Sequence, residues 1–248
     1  MAELRKSKAL YAFEQKLIYF YDDIEMMDVI RTSILRGELS TPDSKFVLSG
    51  VNRGKHAHLS RRGNSEGSRQ NTVNHLRASV YSSFVKDLYE EVTDYLKLIL
   101  LQASRNSFDS GRIIGEHGFK VDAKNVLSLG GWEEVCRFIT ESVFQALESE
   151  RSTIALLKKM CAKLSLTVED KYFDAALPYL EVRHLLVHAD GKLSDEYRAK
   201  FPHVKANNGV VVLDYDFIVS AYKSVLALVQ EFDGEVVSKQ VLKNGDLR

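Results

Sequence analysis

Proline and cysteine are both scarce in this chain. It contains three prolines and two cysteines in 248 residues. Because a proline in a helix interior removes a hydrogen bond and breaks the helix, so few of them favour long uninterrupted helices over a loop-rich sandwich. Cys136 and Cys161 lack the paired spacing of a disulfide framework or a zinc site. We therefore expect two reduced, buried thiols in a cytosolic protein.

An excess of charge of one sign and a long apolar run are also missing. The 34 lysine and arginine residues balance 34 aspartate and glutamate residues. The net charge therefore does not demand a nucleic-acid partner, although a local basic patch can supply one. The first six residues lack the apolar core of a signal peptide, and the most apolar stretch, around Leu96 to Leu101, is too short to cross a bilayer. We expect a cytoplasmic globular protein with no membrane partner.

The apolar residues that are present follow the three- and four-residue spacing of helices. This spacing predicts one long helix from about Leu10 to Ile34, ended by Gly37, and a second from about Thr72 to Ser104. Further predicted helices follow Gly130-Gly131, cover Thr153 to Leu164, run from about Tyr172 to Ala189 with Pro178 as a kink or restart point, and run from about Phe217 to Phe232. The β-branched run Val210 to Leu213 is typical of a short strand. The predicted fold is an all-α helical bundle, a single domain over residues 1–248 with two long antiparallel helices.

Two segments lack helical periodicity. Residues 50–71 are rich in glycine, serine and basic side chains and contain a single acid, so we expect a flexible loop that buries no core. Its basic residues are Arg53, Lys55, Arg61, Arg62 and Arg69. They favour an arm that binds RNA phosphates, and the alternative is a solvated linker. The second segment, Asn106 to Gly131, lacks the Gly-Lys-Ser/Thr ending of a phosphate loop, and we predict a loop with strand character near Phe119 to Val121.

Arg183, His184 and His188 are grouped near the end of the predicted helix from Tyr172 to Ala189, which stops at Gly191. On a helix the two histidines lie one turn apart on one face, and the arginine is rotated by about 100° from His184. Such a histidine pair is a common zinc platform, but a zinc site needs further ligands that this segment does not provide. The second interpretation is structural, with one buried histidine and a salt bridge from Arg183 to a nearby acid.

The third interpretation is metal-independent cleavage of RNA. That reaction needs a base to accept the 2′-hydroxyl proton, an acid to protonate the departing 5′-oxygen, and a fixed cation for the pentavalent phosphorane. Histidine can take either proton role, and arginine donates parallel hydrogen bonds to phosphate oxygens. The exposed carbonyl groups of a helix C-terminus favour a protonated His188, which is the form that a general acid requires.

The segment from Arg183 to His188 resembles the Arg-x(4–6)-His signature of the HEPN superfamily, in which a polar residue commonly follows the arginine; His184 occupies that position. The Asp190-Gly191 turn and the late place of the motif in a helical chain are also similar to HEPN ribonucleases. The resemblance implies a homodimeric RNA endonuclease with a composite cleft and no metal or other cofactor, often a toxin or an anti-phage effector. It assigns Arg183 and His188 as the catalytic pair, with His184 assisting.

Two features limit what the resemblance implies. Some HEPN subgroups place a tyrosine two or three residues beyond the histidine, where this chain has Asp190 and Gly191, so the resemblance does not imply silencing by modification of a tyrosine there. The chain has no nucleotidyltransferase motif, so a neutralising antitoxin or defence partner would be a separate protein. The alternative function is a catalytically silent HEPN-like module that binds RNA, a nucleotide or a partner protein.

Overall fold

The computed structural model describes residues 5–115, 122–149 and 152–248. Over these residues the chain forms an all-α bundle with one two-stranded sheet, which confirms the predicted fold class. The helices are α1 (Lys8–Arg36), α2 (Glu66–Arg105), α3 (Ser110–Ile114), α4 (Ala123–Ser128), α5 (Trp132–Glu148), α6 (Thr153–Leu164), α7 (Asp170–His188), α8 (Asp195–Lys200) and α9 (Tyr215–Ser238), and β1 (Ala206–Asn207) pairs antiparallel with β2 (Val210–Val211). Short 3₁₀ helices cover Ala57–Arg61 and Asn244–Asp246. None of the helices in the described residues is long and apolar enough to span a membrane.

The two longest helices, α1 and α2, pack antiparallel, as predicted. In the first half of α1, Lys16 forms a salt bridge of 2.7 Å with Glu91, which lies far along α2. At the other end, Gly37 lies against Arg69, close to the start of α2. Gly37 ends α1 because it adopts the left-handed conformation (φ 75°) and donates its N–H to the carbonyl of Ile34 at 3.0 Å.

The flexible loop predicted over residues 50–71 extends too far toward the C-terminus, because α2 already begins at Glu66. Ser65 caps this helix by accepting a hydrogen bond from the N–H of Ser68 at 3.4 Å. The first turn of α2 is polar, so it has no apolar periodicity from which its start could be predicted. Before the helix, the segment also contains the 3₁₀ turn Ala57–Arg61.

The second predicted loop contains two short helices, α3 and α4. Their N-caps are Asp109 and Asp122, whose carboxylates accept hydrogen bonds from the N–H groups of Arg112 (3.1 Å) and Lys124 (2.9 Å). Helices of this length have too few residues to show an apolar period, and the same holds for α8. The strand character predicted near Phe119 to Val121 falls outside the described residues.

The remaining predicted helices are confirmed with small shifts at their ends. α5 follows Gly130-Gly131, α6 has the predicted bounds, and α9 extends the predicted helix in both directions. Pro178 lies inside a continuous α7, so the helix does not restart there. The predicted strand near the C-terminus narrows to Val210–Val211, and its pairing with Ala206–Asn207 makes it half of a hairpin.

The chain leaves α7 through a turn that this hairpin holds. Asp190 and Gly191 have positive φ angles of 50° and 76°, and the Gly191 carbonyl accepts a hydrogen bond from the N–H of Val211 at 2.9 Å. The hairpin itself turns at Asn208-Gly209, where positive φ angles at both residues are typical of a two-residue type I′ turn. α7 therefore ends at His188, just before the glycine that predicted its end.

A buried carboxylate links three of the long helices. Asp233 of α9 is 1% exposed. It accepts hydrogen bonds from the N–H and the hydroxyl of Ser7, which caps α1, and from the Tyr95 hydroxyl of α2 at 2.9 Å. Burial, together with the nearby Asp233 charge, raises the pKa of Tyr95 well above its usual value, so the phenol keeps the proton that it donates. One acceptor is thus shared by α1, α2 and α9.

We expect Asp233→Ala to lower the free energy of unfolding by about 3 kcal/mol, because three buried donors lose their acceptor. Asp94→Ala, at an exposed position of α2, is the matched control and should change the free energy by less than about 0.5 kcal/mol. Urea unfolding followed by circular dichroism measures both values. Equal stability of the two variants would contradict this role for Asp233.

Candidate functional site

Arg183, His184 and His188 line one open cleft of about 530 Å³. The rest of its wall comes from α2, the end of α5, the segment between α5 and α6, the start of α6, and α7 itself: Tyr89, Glu148, Ser149, Ser152, Thr153, Leu156, Leu180 and Glu181. The three residues that the sequence groups together therefore share a cavity, and the fold adds groups that are distant in sequence.

The cleft exists because α6 is too short to cover the whole of α7. The two helices are antiparallel: Lys158 of α6 forms a salt bridge of 3.2 Å with Asp170 at the start of α7, and α6 begins beside Leu180. Leu180 is consequently buried. His184 and His188 lie one and two turns farther along α7. They extend past the N-terminus of α6 and are exposed.

The two imidazole rings line the cleft together. Their centroids are 4.6 Å apart, with an angle of 49° between the ring planes. His188 is the last residue of α7, where free backbone carbonyl groups concentrate negative partial charge, and His184 lies one turn earlier. The cleft therefore presents two imidazole rings from successive turns of one helix.

The Arg183 guanidinium is held by an aromatic ring and not by an acid. Its central carbon lies 5.0 Å from the centroid of the Tyr89 ring on α2. Glu148 and Glu181 line the same cleft, but Arg183 forms no salt bridge with any described residue, and Glu148 pairs with Lys97 at 3.3 Å. The Arg183 Nε atom is buried without a hydrogen-bond partner. The salt bridge of the structural interpretation is therefore not formed, and the guanidinium keeps its donors for an anion.

Tyr89 is a site residue that the sequence did not reveal. Burial raises the pKa of its hydroxyl, and the charges of Glu148 and Glu181 add to this rise, whereas Arg183 and a hydrogen bond with Thr153 oppose it. The phenol consequently stays protonated at neutral pH and can donate a hydrogen bond into the cleft. The sequence indicates only that Tyr89 lies next to the apolar stripe of α2. It does not connect Tyr89 with the segment from Arg183 to His188.

The zinc interpretation receives no support from the surroundings of the histidine pair. Across residues 5–115, 122–149 and 152–248, no group of three or more His, Cys, Asp or Glu side chains is arranged to hold a metal ion. Cys136 and Cys161 are buried, and burial raises the pKa of the Cys161 thiol to about 12. Within the part of the chain that the structure describes, His184 and His188 therefore lack a third protein ligand.

The predicted RNA-binding residues lie away from the cleft, in the α1–α2 connection and at the start of α2. Arg69 precedes Tyr89 by about 20 residues on α2, which corresponds to about 30 Å. Two of the five residues make structural contacts. Arg53 stacks on the Phe46 ring at 3.3 Å, and Arg69 donates a hydrogen bond to the Asn64 carbonyl at 3.2 Å.

The other three basic residues of the connection are free of such contacts. Lys55 and Arg61 are exposed and Arg62 is half-buried. None of the three side chains forms a hydrogen bond or a salt bridge with a described residue. They therefore remain available to a phosphate backbone.

Comparison of the chain with known proteins gives no relative. No protein-family model matches it, and neither the curated proteins nor the solved structures include a significant match. The HEPN resemblance consequently rests on the motif and the helical pattern, and the function has to be argued from the site.

We expect Tyr89 and Arg183 to be energetically coupled, because the ring faces the guanidinium. A double-mutant cycle with Tyr89→Leu and Arg183→Gln should give a coupling energy of about 1 kcal/mol in urea unfolding. The matched cycle pairs Tyr89→Leu with Arg105→Gln at the far end of α2, and its coupling energy should be near zero. A value no larger than that of the matched cycle would show that the ring does not hold the guanidinium.

Proposed function

We propose that the chain is a metal-independent RNA endonuclease of the HEPN type, which acts in the cytoplasm as a homodimer and serves as a toxin or an effector of anti-phage defence. The observation that carries this proposal is the unpaired Arg183 guanidinium, which Tyr89 holds in the same cleft as two exposed imidazoles. One fixed cation and two rings that exchange protons are the groups that phosphodiester cleavage needs. A partner that restrains the activity would be a separate protein.

The reaction begins when a base removes the proton of the 2′-hydroxyl group and the resulting oxyanion attacks the adjacent phosphorus. The pentavalent phosphorane gathers negative charge on its equatorial oxygens, and the Arg183 donors stabilise it through parallel hydrogen bonds. An acid then protonates the departing 5′-oxygen. The products are a 2′,3′-cyclic phosphate end and a 5′-hydroxyl end.

The roles of the two histidines follow from the HEPN resemblance. His188, the last residue of α7, is assigned as the acid, because the HEPN resemblance makes it the catalytic histidine. His184, one turn earlier, brings a second imidazole to the same phosphate and is the assisting polar group that the HEPN resemblance implies.

A catalytically silent module that binds RNA or a partner is the second candidate. The chain has no net charge, and Glu148 and Glu181 bring negative charge into the cleft, which weakens its attraction for phosphate. The arrangement of Arg183, His184 and His188 nevertheless favours the enzyme, because binding alone does not require paired imidazoles beside the cation.

We expect His188→Ala and Arg183→Ala to lower the rate of single-stranded RNA cleavage in EDTA by about 10²- to 10⁴-fold, since each removes a group that acts in the transition state. His75→Ala on α2 and Arg36→Ala at the end of α1 replace exposed residues outside the cleft and should retain full activity. Gel assays give the rates, and circular dichroism checks that each variant folds.

End-group analysis of the same reactions distinguishes the mechanisms. A 5′-hydroxyl with a 2′,3′-cyclic phosphate fits the proposed chemistry, whereas a 5′-phosphate would indicate a metal-activated water molecule. Full activity of the His188→Ala protein would refute the assignment of the acid. Binding of RNA without cleavage by the unsubstituted protein would favour the silent module.

We also expect the α1–α2 connection to contribute to RNA affinity through its free basic side chains. Replacing Lys55 and Arg61 with serine should reduce the slope of log K against log salt concentration by about 1.4, the loss expected for two phosphate contacts to a single strand. The control replaces two exposed lysines with serine: Lys223 within α9 and Lys239 directly after it. It should leave the slope unchanged. If both double variants bind RNA alike, the connection is a linker and not a binding arm.

A further inference from the structure

A second cavity lies on the other side of the end of α7. This hairpin trough is open to solvent, has a volume of about 500 Å³ and is lined by Arg77 of α2, Leu186 of α7 and Asn207 of the β-hairpin, among others. Leu186 lines the trough, whereas His184 and His188 line the cleft. Arg77 precedes Tyr89 by 12 residues on α2, so about 18 Å along that helix separates Arg77 from the ring that contacts Arg183 in the cleft.

Arg77 is the cation of the hairpin trough. It is half-buried and forms no hydrogen bond or salt bridge with any described residue. Its charge acts on Asp214, but that carboxylate already accepts hydrogen bonds from Lys205 and from the N–H of Phe217, each at 2.8 Å. The Arg77 guanidinium therefore has donors that can bind a phosphate.

The Asp190 carboxylate also lines the trough and weakens its attraction for a phosphate, but the other walls offer groups that suit the rest of a nucleotide. Ser82 and Asn207 supply a hydroxyl and an amide, the kinds of group that bind ribose and base edges in RNA contacts. Leu186 and Val210–Val211 add an apolar surface for a base. The volume of the trough also falls within the range of about 300–1,000 Å³ that is usual for small-ligand sites.

We propose that the hairpin trough is a second nucleotide subsite, in which Arg77 binds a phosphate of the RNA strand that flanks the scissile phosphate. This inference rests on the proposed function, because it takes Arg183 as the ligand of the scissile phosphate on the other side of α7. A strand that crosses the exposed end of α7 at Val187 joins the two cavities. The trough thereby helps to select nucleotides a short distance along the strand from the cleavage position.

Binding is measured first, in the His188→Ala background, by fluorescence anisotropy with a 5′-fluorescein-labelled single-stranded oligouridylate. Arg77→Gln should weaken binding about tenfold or more and should lower the slope of log K against log salt concentration by about 0.7 for the lost phosphate contact. Arg77→Lys keeps the charge and should restore the slope. Arg36→Gln removes an exposed arginine at the end of α1 and should change neither value.

The same substitutions are then made in the protein that retains His188. The KM and kcat of RNA cleavage by these variants give a second readout. A contact to a flanking phosphate acts equally on the bound substrate and on the transition state. Arg77→Gln should therefore raise KM about tenfold and leave kcat nearly unchanged. A loss of kcat with unchanged KM would overturn the assignment of Arg77 to a flanking phosphate.

The outcomes separate this proposal from the proposed function. An Arg77→Gln protein that binds and cleaves RNA like the Arg36→Gln control would overturn the subsite and leave the nuclease intact. An unsubstituted protein that does not cleave RNA, but binds it with an affinity that depends on Arg77, would overturn the nuclease and support the subsite. Failure to bind the single strand at all would overturn both.

Discussion

The end of α7 at His188 is the constraint on which the candidate site depends. Gly191 holds a positive φ of 76°, and a Cβ atom at this position would lie 3.3–3.5 Å from side-chain atoms of Val210, Val211 and Leu186. The absence of a side chain therefore lets the turn fit closely against the hairpin. Because the hairpin fixes this turn, the last turns of α7 keep one direction and present the two imidazoles beyond the cover of α6.

The electrostatics of the site are local, since the chain has no net charge. A guanidinium that is bound to a carboxylate shares its donors with that partner and offers fewer of them to a ligand. Here the face of the Tyr89 ring holds Arg183. Glu148, at the end of α5 that lines the cleft, forms a salt bridge with Lys97 instead. The cleft thus keeps one cation available in spite of Glu181 and Glu148 in its wall, and attraction for an anion depends on this single placement.

The sequence predicts the long elements well and the short ones poorly. Long helices bury a stripe over many turns, and Gly37 and Gly191 mark where two of them end, whereas α3, α4 and α8 are too short to show a period. The motif from Arg183 to His188 can be predicted as a site because its residues are neighbours on one helix. Tyr89 and Arg77 cannot be predicted as site residues. The periodicity of α2 indicates which of its residues face the core, but it does not indicate which of its remaining residues face α7.

In the proposed reaction, distance from the scissile phosphate would separate two kinds of basic residue. The α1–α2 connection lies about 30 Å from the cleft along α2, so its charges would add affinity for RNA without orienting the bond to be cleaved. Arg183 and Arg77 lie on opposite sides of one helix end, and contacts to both would fix the register of the strand. A strand bound in this way has to bend over the end of α7. Unpaired loops and ends of RNA bend and splay their bases readily, whereas a duplex does not, so this geometry favours single-stranded RNA.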